Sequence, residues 1–325
     1  MTTHDPKQVI EDFRNQLARH DRTLVFLFGA GTSSAINIAP EPDDGNKREY
    51  IPLIPGIDGL TEACRTAVES MGESHPAAWQ MLIEQCDQAG QPANVENLLS
   101  RVRMKIEAMG EEEKLVGLDR NQLRSVERTI SATIAKTVNP SDDSIPRHTP
   151  HGDFAAWVKK VNRTSPLEIC TTNYDILLER ALEFARVPIF DGFVGTNDPF
   201  FYPECLDDEK QLPESNWVRL WKLHGSVNWH VQELPDGKRF IRGVPSESGE
   251  LILPSLWKYT ESRKQPYVAY MDRLSRLMNS EHALLITSGY SFGDEHINEI
   301  LFAALDNGET RNVVALLYHD LDESD

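Results

Sequence analysis

Cysteine is scarce in this chain of 325 residues, which contains four. The four residues are Cys64, Cys86, Cys170 and Cys205, and no two of them form a CxxC pair. We therefore expect neither a structural zinc site nor a disulfide framework, and the thiols favour a reducing, cytoplasmic compartment. The motifs HExxH, GxSxG and GxxxxGKS/T are also missing. The chain therefore lacks the key residues of a metalloprotease, an α/β-hydrolase and a P-loop NTPase.

Long apolar runs and an excess of positive charge are missing as well. No run approaches the roughly 20 residues of a membrane-spanning helix, and no basic segment followed by an apolar one opens the chain. We expect neither a membrane partner nor a signal peptide. The chain has 33 basic and 51 acidic residues, a net charge of −18. Such a surface would repel phosphates, which disfavours direct binding to nucleic acid.

The rest of the composition is that of a globular protein, with 40% hydrophobic and 26% charged residues. The length suits one large α/β domain over residues 1–325. A continuous apolar run predicts a buried strand at 24–28, and strand signals return at 167–172, 218–223, 250–253, 283–287 and 313–318. Because helical patterns alternate with these strands, we predict a Rossmann-like, doubly wound, mostly parallel sheet without a zinc ribbon.

Residues 58–150 differ from the rest of the chain because they lack β-branched runs bounded by turns. Apolar residues recur there at helical spacing instead, first between 95 and 109 and again between 123 and 134. We predict a helical module inserted after the first strand, followed by a linker-like stretch at its end.

The first candidate site residues follow the first predicted strand, in Gly29-Ala30-Gly31-Thr32-Ser33. Glycines at such a point let backbone N–H groups approach a phosphate at a helix start. Ser34 stands where the third glycine of GxGxxG would be, so the dinucleotide fingerprint is incomplete. A tight strand-to-helix turn is an equally good interpretation.

Polar residues also follow three later strands. Asn173 and Asp175 could both face one ligand, although Asp175 could simply cap the next helix. His224, before Gly225, suits general-base chemistry, although a single histidine is more often structural. The 287–298 segment carries hydroxyls and a glycine that could hold ribose and phosphate, or could be an ordinary loop before a capped helix.

A metal site is not expected at His148, His151 and Asp153, despite the HxxH spacing of the two histidines. The segment looks like a loop entering a helix, and it offers only two imidazoles.

The order of these motifs along residues 22–318 resembles that of the sirtuin family. The motifs are GAGTS at 29–33, TNYD at 172–175, LHGS at 223–226 and GYS at 289–291 with Asp294 and Asn298. The GYSFGDEHIN segment is similar to the bacterial branch of sirtuin-like NAD⁺ hydrolases found in antiphage defence.

The resemblance implies a Rossmann-like site for NAD⁺, which is the substrate. It assigns catalysis to Asn173, which would position the nicotinamide ribose or the attacking water, to Asp175, which would hold the carboxamide, and to His224, the general base or ribose-orienting group. It also implies a pyrophosphate and ribose cradle at Gly29, Ala30, Gly31, Thr32 and Ser33, and an adenosine side lined by Ser288, Gly289, Tyr290 and Asn298.

Protein-deacylating sirtuins carry two CxxC pairs for zinc, and this chain has none. The difference favours hydrolysis of NAD⁺ itself over deacylation. The resemblance further implies a homo-oligomer and a HerA-type hexameric ATPase partner. Alternatives are a deacylase or ADP-ribosyltransferase, a non-catalytic sensor of NAD⁺ or ADP-ribose, and a structural assembly subunit.

Overall fold

The computed structural model describes residues 5–20, 22–40, 48–110, 113–235, 237–245 and 266–318. Within them, six strands form one sheet in the order β10-β9-β1-β2-β6-β3, and every neighbouring pair is parallel. The strands are β1 (Leu24–Phe28), β2 (Leu167–Thr171), β3 (Ile189–Phe190), β6 (Val218–Lys222), β9 (Leu284–Ser288) and β10 (Asn312–Leu316). The predicted α/β class and mostly parallel sheet are confirmed.

The order of the strands explains where a ligand can bind. β1 lies between β2 and β9, and the chain builds outward from it first on one side and later on the other. Every residue of β1, β2 and β6 is buried, as expected for strands covered by helices on both faces. In such sheets the ligand crevice lies at the carboxyl ends of the strands, where the order reverses. Here that point is at the ends of β1 and its neighbours.

Helices connect and cover the strands. Asp5 caps α1, where its side chain accepts a hydrogen bond from the backbone N–H of Lys7. The helices outside the predicted module are α1 (Pro6–Leu17), α2 (Ala30–Ser34), α7 (Pro150–Lys160), α8 (Leu177–Phe184), α9 (Glu204–Asp207), α10 (Tyr267–Met278) and α11 (Glu295–Asp306).

Between α2 and α7 the described chain contains the α-helices α3 (Ile57–Glu69), α4 (His75–Gln88), α5 (Val95–Ala108) and α6 (Arg120–Thr137). A capping box at Asp119 and Gln122 starts α6. The four helices share one apolar cluster, which also takes in Tyr174, Leu177 and Val227 from the sheet side of the molecule. The 58–150 boundaries of a separate module stay a prediction.

A second sheet is present that the sequence pattern does not predict. It is antiparallel, in the order β4-β5-β8-β7, and comprises β4 (Phe193–Val194), β5 (Phe200–Phe201), β7 (Trp229–Leu234) and β8 (Gly237–Arg242). Two of its strands have only two residues, too few to show a periodicity. The other two are half-buried, and no continuous apolar run marks them.

The predicted strand at 250–253 lies outside the described residues. In the part of the chain that the structure describes, no helix is long and apolar enough to cross a membrane.

Candidate active site

The four predicted site segments meet at the carboxyl edge of the parallel sheet. We name them the first (29–33), second (172–175), third (223–226) and fourth (288–298) segments. Thr172 donates its N–H to Phe28 O at 3.0 Å, and Leu223 donates to Thr171 O at 2.8 Å. Gly29 donates to Ser288 O at 3.0 Å. The backbone itself therefore joins each segment to a neighbour.

The glycines of the first and fourth segments pack against each other. A Cβ added to Gly31 would lie 2.6 Å from the Cα of Gly289, and one added to Gly29 would lie 2.4 Å from the Gly289 oxygen. Gly289 has a φ of +62°, and a Cβ there would lie 2.4 Å from the nitrogen of Thr32. Only glycine permits this approach of two chain segments.

The N–H groups of the first segment are largely used inside the protein. Gly31 donates to Gly289 O at 2.9 Å, and Thr32 donates to Gly29 O at 3.0 Å. These contacts are those of the tight strand-to-helix turn. Ala30 and Gly31 are nevertheless exposed at the start of α2, and the phosphate cradle of this segment stays a prediction.

Two hydrogen bonds hold the side-chain amide of Asn173. Its Nδ2 donates to Thr32 Oγ1 at 3.1 Å and to Ser33 Oγ at 2.9 Å. The two hydroxyls pass their own protons on, Thr32 to Gly29 O at 2.8 Å and Ser33 to Asp175 Oδ2 at 2.7 Å. A flipped amide would set its oxygen against two hydroxyl lone pairs, so the orientation is fixed.

The side-chain carbonyl oxygen of Asn173, Oδ1, has no hydrogen-bond partner in this arrangement. Oδ1 is buried, and no described group donates a hydrogen bond to it. A buried acceptor without a donor costs free energy, and native structures rarely leave one. The site is therefore built to receive a donor at this atom, such as a water or a sugar hydroxyl.

Asp175 is buried, with 5% of its surface exposed. Its Oδ2 accepts the Ser33 hydroxyl, and its Oδ1 accepts the N–H of Leu177 at 3.0 Å. The second bond reaches the first residue of α8, whose cap residue is Ile176 and not Asp175, so the alternative in which Asp175 caps this helix is wrong. Asp175 thus both contacts the first residue of α8 and orders the Ser33 hydroxyl that holds Asn173.

Lys222, at the end of β6, stabilises the second segment. It is buried and donates to the main-chain oxygen of Asp175 and to Glu179 Oε1, the latter at 2.8 Å. Burial raises the pKa of Glu179, and the Lys222 ammonium opposes that rise. The pair fixes α8 to β6 directly beneath the site.

His224 of the third segment contacts the fourth segment. Its Nε2 lies 3.0 Å from Asp294 Oδ2, and both side chains are mostly buried. Asp294 Oδ1 accepts the N–H groups of His296 and Ile297, so one carboxylate caps α11 and orients the imidazole. With the proton on Nε2, the lone pair lies on Nδ1, where the ring can act as a base.

Tyr290 and Asn298 are bonded within the fourth segment. The Tyr290 hydroxyl lies 3.0 Å from Asn298 Oδ1, and Asn298 Nδ2 donates to Phe292 O at 2.5 Å. Both polar ends of the Asn298 amide are satisfied by its own loop, as in a structural residue. The adenosine contacts of Ser288, Gly289, Tyr290 and Asn298 stay predictions.

Two residues near the site are not among the predicted site residues. Asp294 contributes to the family resemblance, but the sequence does not reveal its pairing with His224, which spans 70 positions. His151 lies in the first turn of α7, and its Nδ1 is buried without a partner. Burial lowers its pKa, and the negative charge of Asp175 opposes this shift. The described residues contain no group of three or more His, Cys, Asp or Glu side chains placed to hold a metal ion.

Residues 167–325, which include the second, third and fourth segments, match the family model of the SIR2-like domain. This part of the chain is a SIR2-like domain. The predicted sirtuin-like family is thereby confirmed, and the domain indicates an NAD-related activity. None of the curated proteins matches the chain. The antiphage branch of the family stays a prediction.

Proposed function

We propose that this SIR2-like protein hydrolyses the nicotinamide–ribose bond of NAD⁺ and releases nicotinamide and ADP-ribose. The observation that carries the proposal is the buried, unpartnered Oδ1 of Asn173, held at the carboxyl edge of the sheet where NAD⁺ is expected. A SIR2-like domain supplies the NAD⁺ class, and the orphan acceptor supplies a place for a water or a ribose hydroxyl.

The orientation of Asn173 decides what it can bind. Both N–H groups of its amide are directed to hydroxyls of the first segment, so the side chain offers its ligand an acceptor and no donor. Water and the 2′- and 3′-hydroxyls of ribose are donors of the required kind. Because the amide is held before the ligand arrives, little reorganisation is needed at the moment of reaction.

His224 supplies the base. In the reaction the C1′–N1 bond breaks, and its electron pair goes to the pyridinium nitrogen, so nicotinamide leaves as a neutral molecule. A water oxygen bonds to C1′ and gives up one proton, which His224 accepts, and Asp294 stabilises the imidazolium that results. Asp175 would hold the carboxamide of the leaving nicotinamide.

The lack of CxxC pairs separates this proposal from deacylation. In protein-deacylating sirtuins the zinc module helps to build the cleft for the acyl-peptide, and this chain has no cysteine pair for such a module. The lack of this module favours water over an acyl-lysine as the acceptor of the ribosyl group.

The test is to incubate the purified chain with NAD⁺, with and without an acetyl-lysine peptide, and to quantify nicotinamide and ADP-ribose. We expect both products in equal amounts without peptide. Release that requires peptide, with O-acetyl-ADP-ribose formed, would establish a deacylase instead. Saturable NAD⁺ binding without nicotinamide after hours would establish a sensor, and no binding at all a structural subunit.

An enzyme that depletes NAD⁺ endangers its own cell, so its activity must be controlled. We propose that this chain acts in antiviral defence in the cytoplasm, as a homo-oligomer that is held off until a HerA-type ATPase partner or another trigger releases it. A size measurement tests this idea, because a monomer that is fully active alone contradicts it.

A further inference from the structure

Tyr174 lies between the two residues of the second segment that the proposed reaction uses, Asn173 and Asp175. It is itself buried, with 8% of its surface exposed. Its side chain belongs to the apolar cluster of the four helices α3–α6. The residue therefore extends from the reaction site into the predicted helical module.

The hydroxyl of Tyr174 ends at a charged group of that module. It donates to Glu96 Oε1 at 2.8 Å, and Glu96 lies in the first turn of α5. Burial and the Glu96 carboxylate raise the pKa of Tyr174 well above its ordinary value, so the phenol keeps its proton. A hydrogen bond from a neutral donor to a carboxylate is stronger than one between neutral groups.

The main chain of Tyr174 holds the third segment as well. Its carbonyl oxygen accepts the N–H of Val227 at 2.9 Å and the hydroxyl of Ser226 at 3.4 Å. These two residues follow His224 and Gly225 directly. Tyr174 thus lies within the second segment, binds the third segment through its carbonyl oxygen, and binds the helical module through its hydroxyl.

We propose that the Glu96–Tyr174 hydrogen bond couples the helical module to the reaction site, and that both residues are positioning residues for the hydrolysis. The effect on kcat that this inference predicts rests on the proposed function. Movement of α5 relative to the sheet would displace Tyr174, and with it Asn173 on one side and the His224 segment on the other. The inserted helices then determine how well the site is assembled.

Three variants test the coupling: Tyr174→Phe keeps the ring and loses the hydroxyl, Glu96→Ala loses the acceptor, and Glu96→Gln keeps an uncharged acceptor. Glu107→Ala, on the exposed side of the same helix, is the matched control. We expect kcat for nicotinamide release to fall about tenfold or more in Tyr174→Phe and Glu96→Ala, since small displacements of positioned groups are costly. KM should change less, and Glu96→Gln should recover much of kcat.

The double variant distinguishes coupling from general damage. If the two residues act through one bond, Tyr174→Phe combined with Glu96→Ala should be no slower than either single variant. Multiplying losses, or kcat within twofold of wild type in both single variants, would overturn the proposal. Circular dichroism and the thermal midpoint confirm that the variants are folded.

Hydrogen exchange provides a readout that does not depend on the reaction. In Glu96→Ala, peptides covering 172–177 and 223–228 should exchange faster than in wild type, and in Glu107→Ala they should not. If wild type releases no nicotinamide but these peptides respond, the proposed function fails and the coupling holds. If wild type is active and the peptides and kcat do not respond, the coupling fails and the function holds.

Discussion

The amide of Asn173 is fixed by two hydroxyls that come from about 140 positions earlier in the chain. The sequence identifies Asn173 as a candidate because it follows a buried strand beside an aspartate. It cannot identify Thr32 and Ser33 as the partners, since a sheet must first bring β1 and β2 together. The pairing of His224 with Asp294 is hidden for the same reason.

His151 shows how burial can make one residue sensitive to pH. Its pKa in the folded chain is lowered from 6.5, so below about pH 6.5 the unfolded chain binds the proton more readily. Stability should be full above pH 6.5 and fall as the pH decreases, by at most about 1.4 kcal/mol per pH unit from this residue.

Urea denaturation at pH 7.5 and pH 5.5 checks this prediction. His151→Gln should lose less stability between the two pH values than wild type does, and His148→Gln, at an exposed position, should behave as wild type. An equal pH dependence in His151→Gln and wild type would show that His151 does not titrate as described.

At the scale of the elements, the parallel sheet is the part that the sequence predicts best. β1, β2, β6, β9 and β10 all lie where the sequence predicts strands, and β1 is apolar at all five positions, as expected for a strand covered on both faces. The second sheet escapes prediction, since two of its strands have only two residues and the other two are half-buried.

The contact between the first and fourth segments leads to a prediction about Gly31. A methyl group there would lie 2.6 Å from the Cα of Gly289, so backbone must move. We expect Gly31→Ala to lower the free energy of unfolding by about 1–3 kcal/mol and to cut nicotinamide release strongly, because the displaced α2 carries the hydroxyls that hold Asn173.

Gly152→Ala is the matched control for this substitution. Gly152 is exposed in α7, and its added Cβ would make an ordinary contact, 3.4 Å from Thr149 Oγ1. Stability there should be unchanged or slightly raised, since alanine favours helix. If Gly31→Ala were as stable and as active as Gly152→Ala, the close approach of the two segments would not matter for the site.

At the scale of the whole molecule, the residues that we assign to the reaction lie along one edge of the parallel sheet. Asn173, Asp175 and His224 follow β2 and β6, two paired parallel strands whose last residues, Thr171 and Lys222, are in register. The sequence predicts this gathering from fold class alone, because parallel strands end at a common edge. It does not predict that the helices α3–α6 share their apolar cluster with Tyr174 of the same edge.

The most direct test of the account is nicotinamide release by Asn173→Ala and His224→Ala beside wild type and Asn121→Ala, which lies at an exposed position of α6. We predict that wild type and Asn121→Ala release nicotinamide from NAD⁺ at the same rate. Asn173→Ala and His224→Ala should remain folded and lose at least about a hundredfold in rate. Rates close to wild type in both folded variants would contradict the account.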